Sequence, residues 1–461
     1  MFRSCFFIIF LLLCACSSEE QKVSPEVDVD TYYHVLVTGQ SLSTGSWGVS
    51  SLSGSYSDSQ PYSNYMLSQS SIEVNLQGPL GSIAPLIPLV EPYYEFAIKE
   101  LVETPITGIA NTFAALDNPV NPSYSVVATG HGLGAQPYSQ IKKHPVTTSP
   151  PFLQRYEIGQ RQISQVYKEL STNPDFPNAE YRPVGIVVIH GETDQLLGNA
   201  LPYEGYLNEL QLDYESDMMQ LLSQNNEPSI SSLPMFVTQM NSRGPAEMAI
   251  AQLNAARNNP EIYMVGPTYQ YTFYDKTHLH GAAEYRHLGE QIGKVMYEVS
   301  ILNKNWKPLM PEEISYSKKL VKIQFHVPVG ALTFDAPSHS IDSLTDLKHY
   351  YKNYGFEYVD DSNSAQIVPE SVIIGFDKKS VYFYLDKEPI GTNPRIRYAA
   401  QQYPGIASGA SAGCRYGDVS RGIPCYGGNL RDSDALVSPS IDGLNKPLYN
   451  WCVSFDEPLP L

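Results

Sequence analysis

Short apolar runs of β-type alternate with longer segments of helical periodicity along residues 31–303, and this alternation limits the fold more than any other feature of the 461-residue chain. Two of the runs, 32–37 and 184–189, have the continuous apolar character of strands that are buried on both faces. Strands that alternate with helices form parallel sheets covered by helices, so we expect an α/β sheet here. The other predicted elements are strands at 234–239 and 262–265 and helices at 156–170, 207–222 and 282–299.

The character of the sequence changes after residue 305. The stretch 306–311 has the composition of a linker, and the runs beyond it alternate apolar and polar residues as half-buried strands do. These runs are 320–327, 371–376 and 380–385. A chain of this length suits two or three domains. We therefore predict an α/β domain at 31–305, followed by a β-rich accessory domain at 306–461 that resembles a β-sandwich.

The N-terminus has the composition of an export signal. An apolar run at 5–13 follows Arg3 and is too short to cross a bilayer as a helix. The tetrapeptide Leu-Cys-Ala-Cys at 13–16 resembles a bacterial lipobox, which implies that residues 1–15 are removed and that Cys16 is lipidated. Residues 16–30 are polar and acidic, as a tether would be. The expectation is a protein anchored by lipid at the bacterial outer membrane or cell surface.

Net charge argues against one class of partner. The formal charge is −18 at pH 7, and Lys and Arg are not clustered anywhere in the sequence. Binding to nucleic acid requires concentrated positive charge, because the phosphates must be neutralised. We therefore expect no nucleic-acid partner.

Three cysteines lie near the C-terminus. Cys414 and Cys425 flank a glycine-containing stretch, and Cys452 follows later. An exported protein meets an oxidising compartment, so we predict a disulfide between Cys414 and Cys425, with Cys452 left over. Their spacing matches no compact zinc pattern, and metal binding is the less favoured interpretation.

Ser41 is the first residue with a possible chemical role. It follows the run 32–37 after a glycine, at the carboxyl edge of the predicted sheet, where ligands bind in open α/β folds. A serine at the start of the following helix would gain a backbone N–H and the positive end of the helix dipole, both suited to an oxyanion. A serine that merely caps a helix gives the same pattern. This motif alone leaves both roles open.

Asp275 and His278 form the second candidate group. A carboxylate and an imidazole three residues apart on one turn can form a hydrogen bond, which orients the imidazole and stabilises its cation. The alternative is a loop acid beside a surface histidine. His280 and His287 also lie close in sequence, but the three histidines lack a clear metal-ligand pattern. Chemistry without a metal or other cofactor is favoured.

The third candidate group is His-Gly-Glu-Thr-Asp at 190–194, directly after the run 184–189. It is expected at the same sheet edge as Ser41. Glu192 and Asp194 could be a glycosidase acid/base pair, but residues two apart give no reason to expect the required separation across a sugar. We favour a role in which these two carboxylates brace neighbouring loops by accepting backbone hydrogen bonds.

The three motifs together resemble those of one enzyme family. Gly-Gln-Ser-Leu at 39–42, the segment 190–194 and Asp-Lys-Thr-His-Leu at 275–279 have the order and approximate separations found in SGNH/GDSL hydrolases. They look most like the sialate O-acetylesterase and plant carbohydrate-esterase branch. The resemblance covers about residues 31–303. It implies a flavodoxin-like three-layer α/β/α fold.

The resemblance also implies a catalytic triad of Ser41, His278 and Asp275. In that role His278 takes the proton of Ser41 as the serine attacks an ester carbonyl, and Asp275 steadies the resulting imidazolium. An acyl-enzyme forms and water hydrolyses it. The family supplies oxyanion donors from the nucleophile's own N–H, from a glycine N–H in a second conserved block, here residues 129–135, and from a side chain in a third block, here residues 190–194. The glycine assigned here is Gly134, with Gly132 as second choice.

The third block departs from the family pattern. Members carry an asparagine there, or glutamine in the acetylesterase branch, whereas this chain has His190. An ionised Glu192 would oppose the negative charge that develops on the substrate, so His190 is the better donor. The residues given a possible supporting role are Gln40, Glu192 and Asp194.

The expected function is that of a serine esterase that removes O-acetyl or other short acyl groups from an acylated glycan. A lipase or thioesterase of the same superfamily is one alternative. A surface lipoprotein that binds glycans through a degenerate esterase domain is another. Presence of all three triad residues in the sequence favours catalysis over the second alternative.

Overall fold

The computed structural model describes most of the chain between residues 30 and 460. The signal segment 1–15, Cys16 with the tether up to residue 29, and both Cys414 and Cys425 lie outside the described residues. The described ranges are 30–53, 60–68, 85–95, 99–117, 124–144, 154–242, 244–275, 277–335, 352–361, 365–400, 426–439 and 446–460.

A seven-stranded sheet forms the centre of the N-terminal region. The strands in this region are β1 (Asp30–Gly39), β2 (Tyr65–Leu67), β3 (Leu86–Pro88), β4 (Tyr93–Glu95), β5 (Glu100–Val102), β6 (Tyr124–Gly130), β7 (Ala179–Ile189), β8 (Met235–Gln239) and β9 (Ile262–Pro267). The sheet order is β3-β2-β6-β1-β7-β8-β9, and β4 pairs with β5 separately. Strands β6, β1, β7, β8 and β9 are parallel. Numbered along the chain, these five give the order 2-1-3-4-5 of flavodoxin-like sheets.

Helices cover both faces of this sheet, which confirms the predicted α/β architecture. Strands β1 and β7 alternate their side chains between the two faces, so Val35 and Val37 join one hydrophobic cluster and Leu36 the other. Each such fully buried side chain contributes on the order of 1.5–3 kcal/mol to folding. The helices are α1 (Ser50–Ser53), α2 (Pro105–Asp117), α3 (Tyr138–Ile141), α4 (Arg155–Thr172), α5 (Glu192–Leu196), α6 (Tyr203–Gln224), α7 (Glu247–Asn258) and α8 (Ala282–Ser300). Helices α2 and α8 pack on one face, and α4, α6 and α7 on the other.

Gly39 allows the ends of β1 and β7 to approach closely. Its φ is 138°, and a Cβ at this position would lie 2.0 Å from the carbonyl oxygen of Ile189. Any side chain would therefore force the two strands apart. Because β6 and β7 lie on opposite sides of β1, this point is also where the sheet order reverses and where such folds bind ligands.

The C-terminal region consists of antiparallel sheets. Two of them, β10-β11-β15-β14 and β13-β16-β18, share one hydrophobic cluster, and β12 pairs with β17. Phe325 of the first sheet contacts Phe356 and Phe455 of the second, with ring centroids 6.4 and 6.3 Å apart. The strands are β10 (Met310–Ser317), β11 (Leu320–His326), β12 (Thr333–Phe334), β13 (Phe356–Val359), β14 (Ile373–Ile374), β15 (Ser380–Tyr384), β16 (Arg395–Tyr398), β17 (Leu430–Arg431) and β18 (Phe455–Pro458); a 3₁₀ turn occupies Lys352–Gly355.

The stretch 306–311 is not the free linker that its composition indicated. Trp306 is buried in the cluster beneath α2 and α8, and its indole N–H donates to the carbonyl of Met264 at 2.9 Å. Strand β10 already begins at Met310. The division of domains at residue 305 stays a prediction.

The end of the chain returns to the α/β sheet. Gln239, the last residue of β8, donates its side-chain amide to the carbonyl of Ser454 at 2.8 Å and accepts the Ser454 N–H at 2.6 Å. Tyr269 donates its hydroxyl to the carbonyl of Cys452 at 2.6 Å. Cys452 is buried and forms no disulfide with another described residue. The two regions therefore share buried hydrogen bonds as well as apolar contacts.

None of the described helices combines the length and the apolar character that crossing a bilayer requires.

Candidate active site

Ser41 lies in a tight turn that begins where β1 ends. Its carbonyl accepts the N–H of Thr44 at 3.3 Å and the N–H of Ser46 at 3.0 Å. We expected a helix to begin at Ser41, but residues 41–47 form successive turns, and Gly45 has a left-handed φ of 69°. A residue in that conformation ends helical hydrogen bonding, so the helix-dipole argument for Ser41 does not apply here.

Ser41 and its neighbour Gly134 have polar groups without a partner among the described residues. Neither the hydroxyl nor the N–H of Ser41 forms a hydrogen bond with any described residue, and the same holds for the N–H of Gly134. A Cβ placed on Gly134 would meet just one heavy atom within 4 Å, the Cβ of Ser41 at 3.8 Å. Unpaired donors at the edge of a crevice are suited to an oxyanion. Gly134 thus lies next to Ser41, and each residue has an N–H without a partner among the described residues.

Gly132, the second choice of donor, has a different environment. A Cβ on Gly132 would lie 2.0 Å from the hydroxyl oxygen of Ser43, so this glycine is needed for close packing. Leu133 donates its N–H to the carbonyl of Gly39 at 3.1 Å, which fixes the loop against the end of β1.

A buried arginine that the sequence gave no reason to select also holds this loop. Arg155, on α4, is 2% exposed and donates from Nε to the carbonyl of His131 at 2.6 Å and from Nη2 to the carbonyl of Gly132 at 3.0 Å. These bonds turn the carbonyls of the loop toward α4. A buried cation satisfied by main-chain carbonyls has no local sequence signature, because its partners come from a separate strand end.

Asp275 and His278 lie at the tip of a hairpin-like loop. Tyr274 N–H donates to the carbonyl of His278 at 2.8 Å. Phe273 and Leu279 pair across the base of the loop and are buried in the cluster that also contains Leu42. Packing of these apolar neighbours brings the loop of Asp275 and His278 to the edge of the sheet where Ser41 lies.

His278 and Asp275 interact directly. Asp275 Oδ2 accepts a hydrogen bond from His278 Nδ1 at 2.9 Å, while its Oδ1 accepts the N–H groups of Thr277 and His278 at 2.6 and 2.7 Å. Burial alone would raise the pKa of Asp275, but the hydrogen bonds from the His278 ring and from both N–H groups lower it below its ordinary value. An ionised carboxylate can only accept, so Nδ1 of His278 carries a proton and Nε2 of the neutral ring keeps its lone pair.

The loops that carry Ser41 and His278 are in contact. The Gly281 N–H donates to the carbonyl of Trp47 at 3.3 Å, and the rings of Trp47 and Tyr274 are stacked with centroids 4.5 Å apart. No hydrogen bond joins Ser41 to His278 among the described residues. Catalytic hydrogen bonds are often long without substrate and shorten in the reacting complex.

His190 is buried, with both ring nitrogens occupied. Nε2 lies 2.8 Å from the carbonyl of Gln136 and Nδ1 lies 2.6 Å from the hydroxyl of Tyr203. A carbonyl can only accept, so Nε2 carries the proton and Nδ1 accepts from Tyr203. Burial lowers the pKa of His190 despite the nearby Asp194, which favours this neutral form. Because both ring nitrogens are occupied, His190 has no free N–H for an oxyanion, and these bonds do not support its expected donor role.

The other residues of the third block are also fully engaged. Glu192 is 3% exposed and accepts hydrogen bonds from the side-chain amide of Gln40 and from the hydroxyl of Ser242. Gln40 in turn accepts the N–H of Thr193 at 3.2 Å. Gln40 and Glu192 thus link the turn after β1 to the start of α5.

Asp194 accepts the N–H of Tyr138 at 2.7 Å and the side-chain amide of Asn199 at 2.7 Å. The bracing arrangement predicted for the two acids is therefore present, with a backbone partner for Asp194 and side-chain partners for Glu192.

The histidines near the site do not form a metal-binding group with other described residues. Within the described residues, no group of three His, Cys, Asp or Glu side chains is arranged to hold a metal ion. His287 instead bonds to the carbonyl of Pro447 at 3.3 Å.

Comparison with known proteins gives structural likenesses at low identity. No protein-family model matches the chain, and no curated protein matches it. A carbohydrate acetylesterase from Xanthomonas citri is similar over 93% of this chain and 80% of its own, with 12% identity and a TM-score of 0.49. NanS is similar over 59% of this chain and 98% of its own, with 14% identity and a TM-score of 0.36. At these values the likenesses assign neither a family nor an activity.

Proposed function

We propose that this chain is a serine esterase of the SGNH/GDSL hydrolase type that removes acetyl or other short acyl groups from carbohydrate. The observation that carries the proposal is the hydrogen bond between Asp275 and His278. The loop that holds these two residues packs against the turn that holds Ser41, whose hydroxyl has no partner among the described residues. The strand order and the position of Ser41 where that order reverses support the same fold type. The resemblance of the three motifs to carbohydrate acetylesterases supports the substrate class.

The reaction begins with proton transfer from Ser41 to Nε2 of His278. The serine oxygen forms a bond to the ester carbonyl carbon, and the carbonyl oxygen becomes an oxyanion that accepts from the N–H groups of Ser41 and Gly134. Asp275 stabilises the imidazolium through its bond to Nδ1. His278 then gives its proton to the departing sugar oxygen as the carbon–oxygen bond of the ester breaks.

Hydrolysis of the acyl-enzyme repeats these steps with water. His278 takes a proton from water, the hydroxide oxygen attacks the acyl carbon, and the proton passes to the oxygen of Ser41 as that bond breaks. One ester and one water give one acid and one free sugar hydroxyl. The protein needs no other reactant.

The proposal is tested by hydrolysis of p-nitrophenyl acetate with the mature protein and its Ser41→Ala variant. We expect the variant to lose at least about 10³-fold in kcat, because the nucleophile is absent. Butyrate and octanoate esters serve as controls for chain length, and we expect acetate to be preferred. A preference for octanoate would favour a lipase of the same superfamily. Equal rates from both folded proteins would rule out Ser41 as the nucleophile.

We further propose that Cys16 carries a lipid that anchors the protein at the bacterial outer membrane or cell surface. The support is the lipobox-like segment and the polar tether that follows it. Growth with labelled palmitate should label the protein, and Cys16→Ser should abolish the label. A labelled Cys16→Ser protein would contradict the proposal.

A further inference from the structure

A stacked aromatic pair lies beside the candidate triad. The rings of Trp47 and Tyr274 are 4.5 Å apart at their centroids, with an angle of 16° between their planes. Tyr274 directly precedes Asp275 in the sequence, and Trp47 follows Ser46, whose N–H bonds to the carbonyl of Ser41. Both aromatic side chains are half-buried, so each keeps part of its surface in contact with solvent.

Trp47 adopts a backbone conformation that a bulky residue rarely occupies. Its φ is 65°, in the left-handed region that favours glycine. The conformation is held on both sides, because the Trp47 carbonyl accepts the N–H of Gly281 and the Ser46 carbonyl accepts the hydroxyl of Tyr285. A strained conformation that the surrounding contacts maintain is typical of residues with a functional role.

Chemistry determines which part of the substrate lies near this pair. His278 must give its proton to the departing sugar oxygen, so the sugar lies on the side of the site that His278 occupies. Tyr274 belongs to the same loop as His278, and the ring of Trp47 stacks on the ring of Tyr274. The ester carbonyl lies at Ser41, whose Cβ is 3.8 Å from the position that a Cβ on Gly134 would take.

A pair of aromatic rings suits a sugar ring in particular. Each face of a pyranose carries C–H groups that pack on an aromatic ring, while its hydroxyls at the rim remain free for polar partners. His280 is one such partner within reach of the pair, since its ring centroid lies 6.1 Å from that of Tyr274 and its side chain is half-buried.

We infer that Trp47 and Tyr274 form a subsite for the sugar ring of the substrate and so favour glycan esters over simple esters. This inference rests on the proposed esterase function of the same site. The pair acts on specificity, while Ser41, His278 and Asp275 carry out the reaction. It therefore distinguishes substrates by the alcohol part of the ester.

The test compares glucose pentaacetate with ethyl acetate, an ester that has neither a sugar nor an aromatic ring. Trp47→Gly removes the indole and suits a φ of 65°, whereas Trp47→Phe keeps an aromatic ring. We expect Trp47→Gly to lower the ratio of kcat/KM for the sugar ester to that for ethyl acetate by about tenfold, as expected for the loss of one stacking contact. We expect Trp47→Phe to retain most of the ratio. An unchanged ratio, whether both kcat/KM values fall by the same factor or neither falls, would overturn the inference.

A binding measurement separates this inference from the proposed reaction. In the Ser41→Ala background, glucose pentaacetate should change the tryptophan fluorescence, and the change should be lost when Trp47→Phe is added. If no protein hydrolyses either ester but this change is present and depends on Trp47, the proposed function is wrong and the sugar subsite stands. If Ser41-dependent hydrolysis is present and the fluorescence does not change, the subsite is wrong and the esterase stands.

Discussion

The ends of β1 and β7 lie side by side and carry similar numbers of polar residues, yet their hydrogen bonding differs. After β1, the hydroxyl and N–H of Ser41 have no partner among the described residues. After β7, His190, Glu192 and Asp194 are buried and their polar groups are bonded within the protein. The difference teaches that unused hydrogen-bonding capacity, rather than polarity, marks where a substrate can be held.

The largest effect on activity is expected from a substitution of Asp275, in the loop that packs against the turn after β1. In Asp275→Asn, the amide oxygen can still accept the N–H groups of Thr277 and His278, but the amide nitrogen would donate to Nδ1 of His278. The proton of the neutral ring then moves to Nε2, which can no longer accept the proton of Ser41. We expect kcat for p-nitrophenyl acetate to fall by about 10³–10⁴-fold. A loss of less than tenfold would contradict the proposed role of Asp275.

The end of β7 should respond in stability instead. His190→Phe removes both ring hydrogen bonds and leaves the Tyr203 hydroxyl and the Gln136 carbonyl unpaired. We expect the free energy of unfolding, measured in urea, to fall by about 2–4 kcal/mol because a buried hydroxyl and a partly buried carbonyl lose their partner. Activity of the folded fraction should stay within about tenfold of the unsubstituted protein. A stable variant with a much greater loss of activity would restore His190 as an oxyanion donor.

Two further buried histidines extend the comparison to pH. His34 and His131 are fully buried, and burial lowers the pKa of each to about 3. Below pH 6.5 the unfolded chain binds protons at these two residues and the folded chain does not. The free energy of unfolding is therefore unaffected by them above pH 6.5, and it falls as the pH is lowered from 6.5 toward 3. We expect urea unfolding to show a loss of about 1 kcal/mol per pH unit for each histidine.

The control for this pH effect is His34→Gln, which removes one titrating group. We expect the slope of unfolding free energy against pH between 6.5 and 5 to be smaller in this variant than in the unsubstituted protein. An equal slope would mean that His34 does not contribute.

The smallest effect is expected at the start of α5. Asp194→Asn places an amide nitrogen opposite one of two donors, the Tyr138 N–H or the Asn199 side chain. We expect a loss of about 1–2 kcal/mol in the free energy of unfolding, with little change in kcat. Loss of activity without loss of stability would place Asp194 in the reaction rather than in the support of the loops.

Local pattern was sufficient to locate the elements around the site. The predicted strand at 184–189 lies within β7, and the predicted helix at 282–299 matches α8 within one residue. Both have strong periodicity or a continuous apolar character, and burial in the fold reinforces that preference. The helix predicted to begin at Ser41 was wrong. Gly45 has a left-handed φ, the Ser46 carbonyl bonds to the hydroxyl of Tyr285 on α8, and Trp47 bonds to Gly281 in the loop before α8, and together these prevent a helix.

The engagement of His190 depends on residues that its own motif does not contain. Tyr203 bonds to His190 from the start of α6, and Gln136 does so from the loop after β6. A motif gives the type of residue at a position. Whether the donors and acceptors of that residue are unpaired depends on which distant groups fold against it. The buried role of Arg155 was missed for the same reason.

The hydrogen bonds between Gln239 and Ser454 also constrain the order in which the protein can fold. Gln239 is completely buried, and its side-chain carbonyl is bonded to a backbone N–H that is synthesised 215 residues later. The carboxyl end of β8 therefore cannot complete its hydrogen bonds until almost the whole described chain is present. Contacts of such long sequence separation slow folding, because the intervening chain must be closed into a loop first. In a nascent chain, Gln239 can form its bonds to Ser454 only after the 215 residues that separate the two have been synthesised.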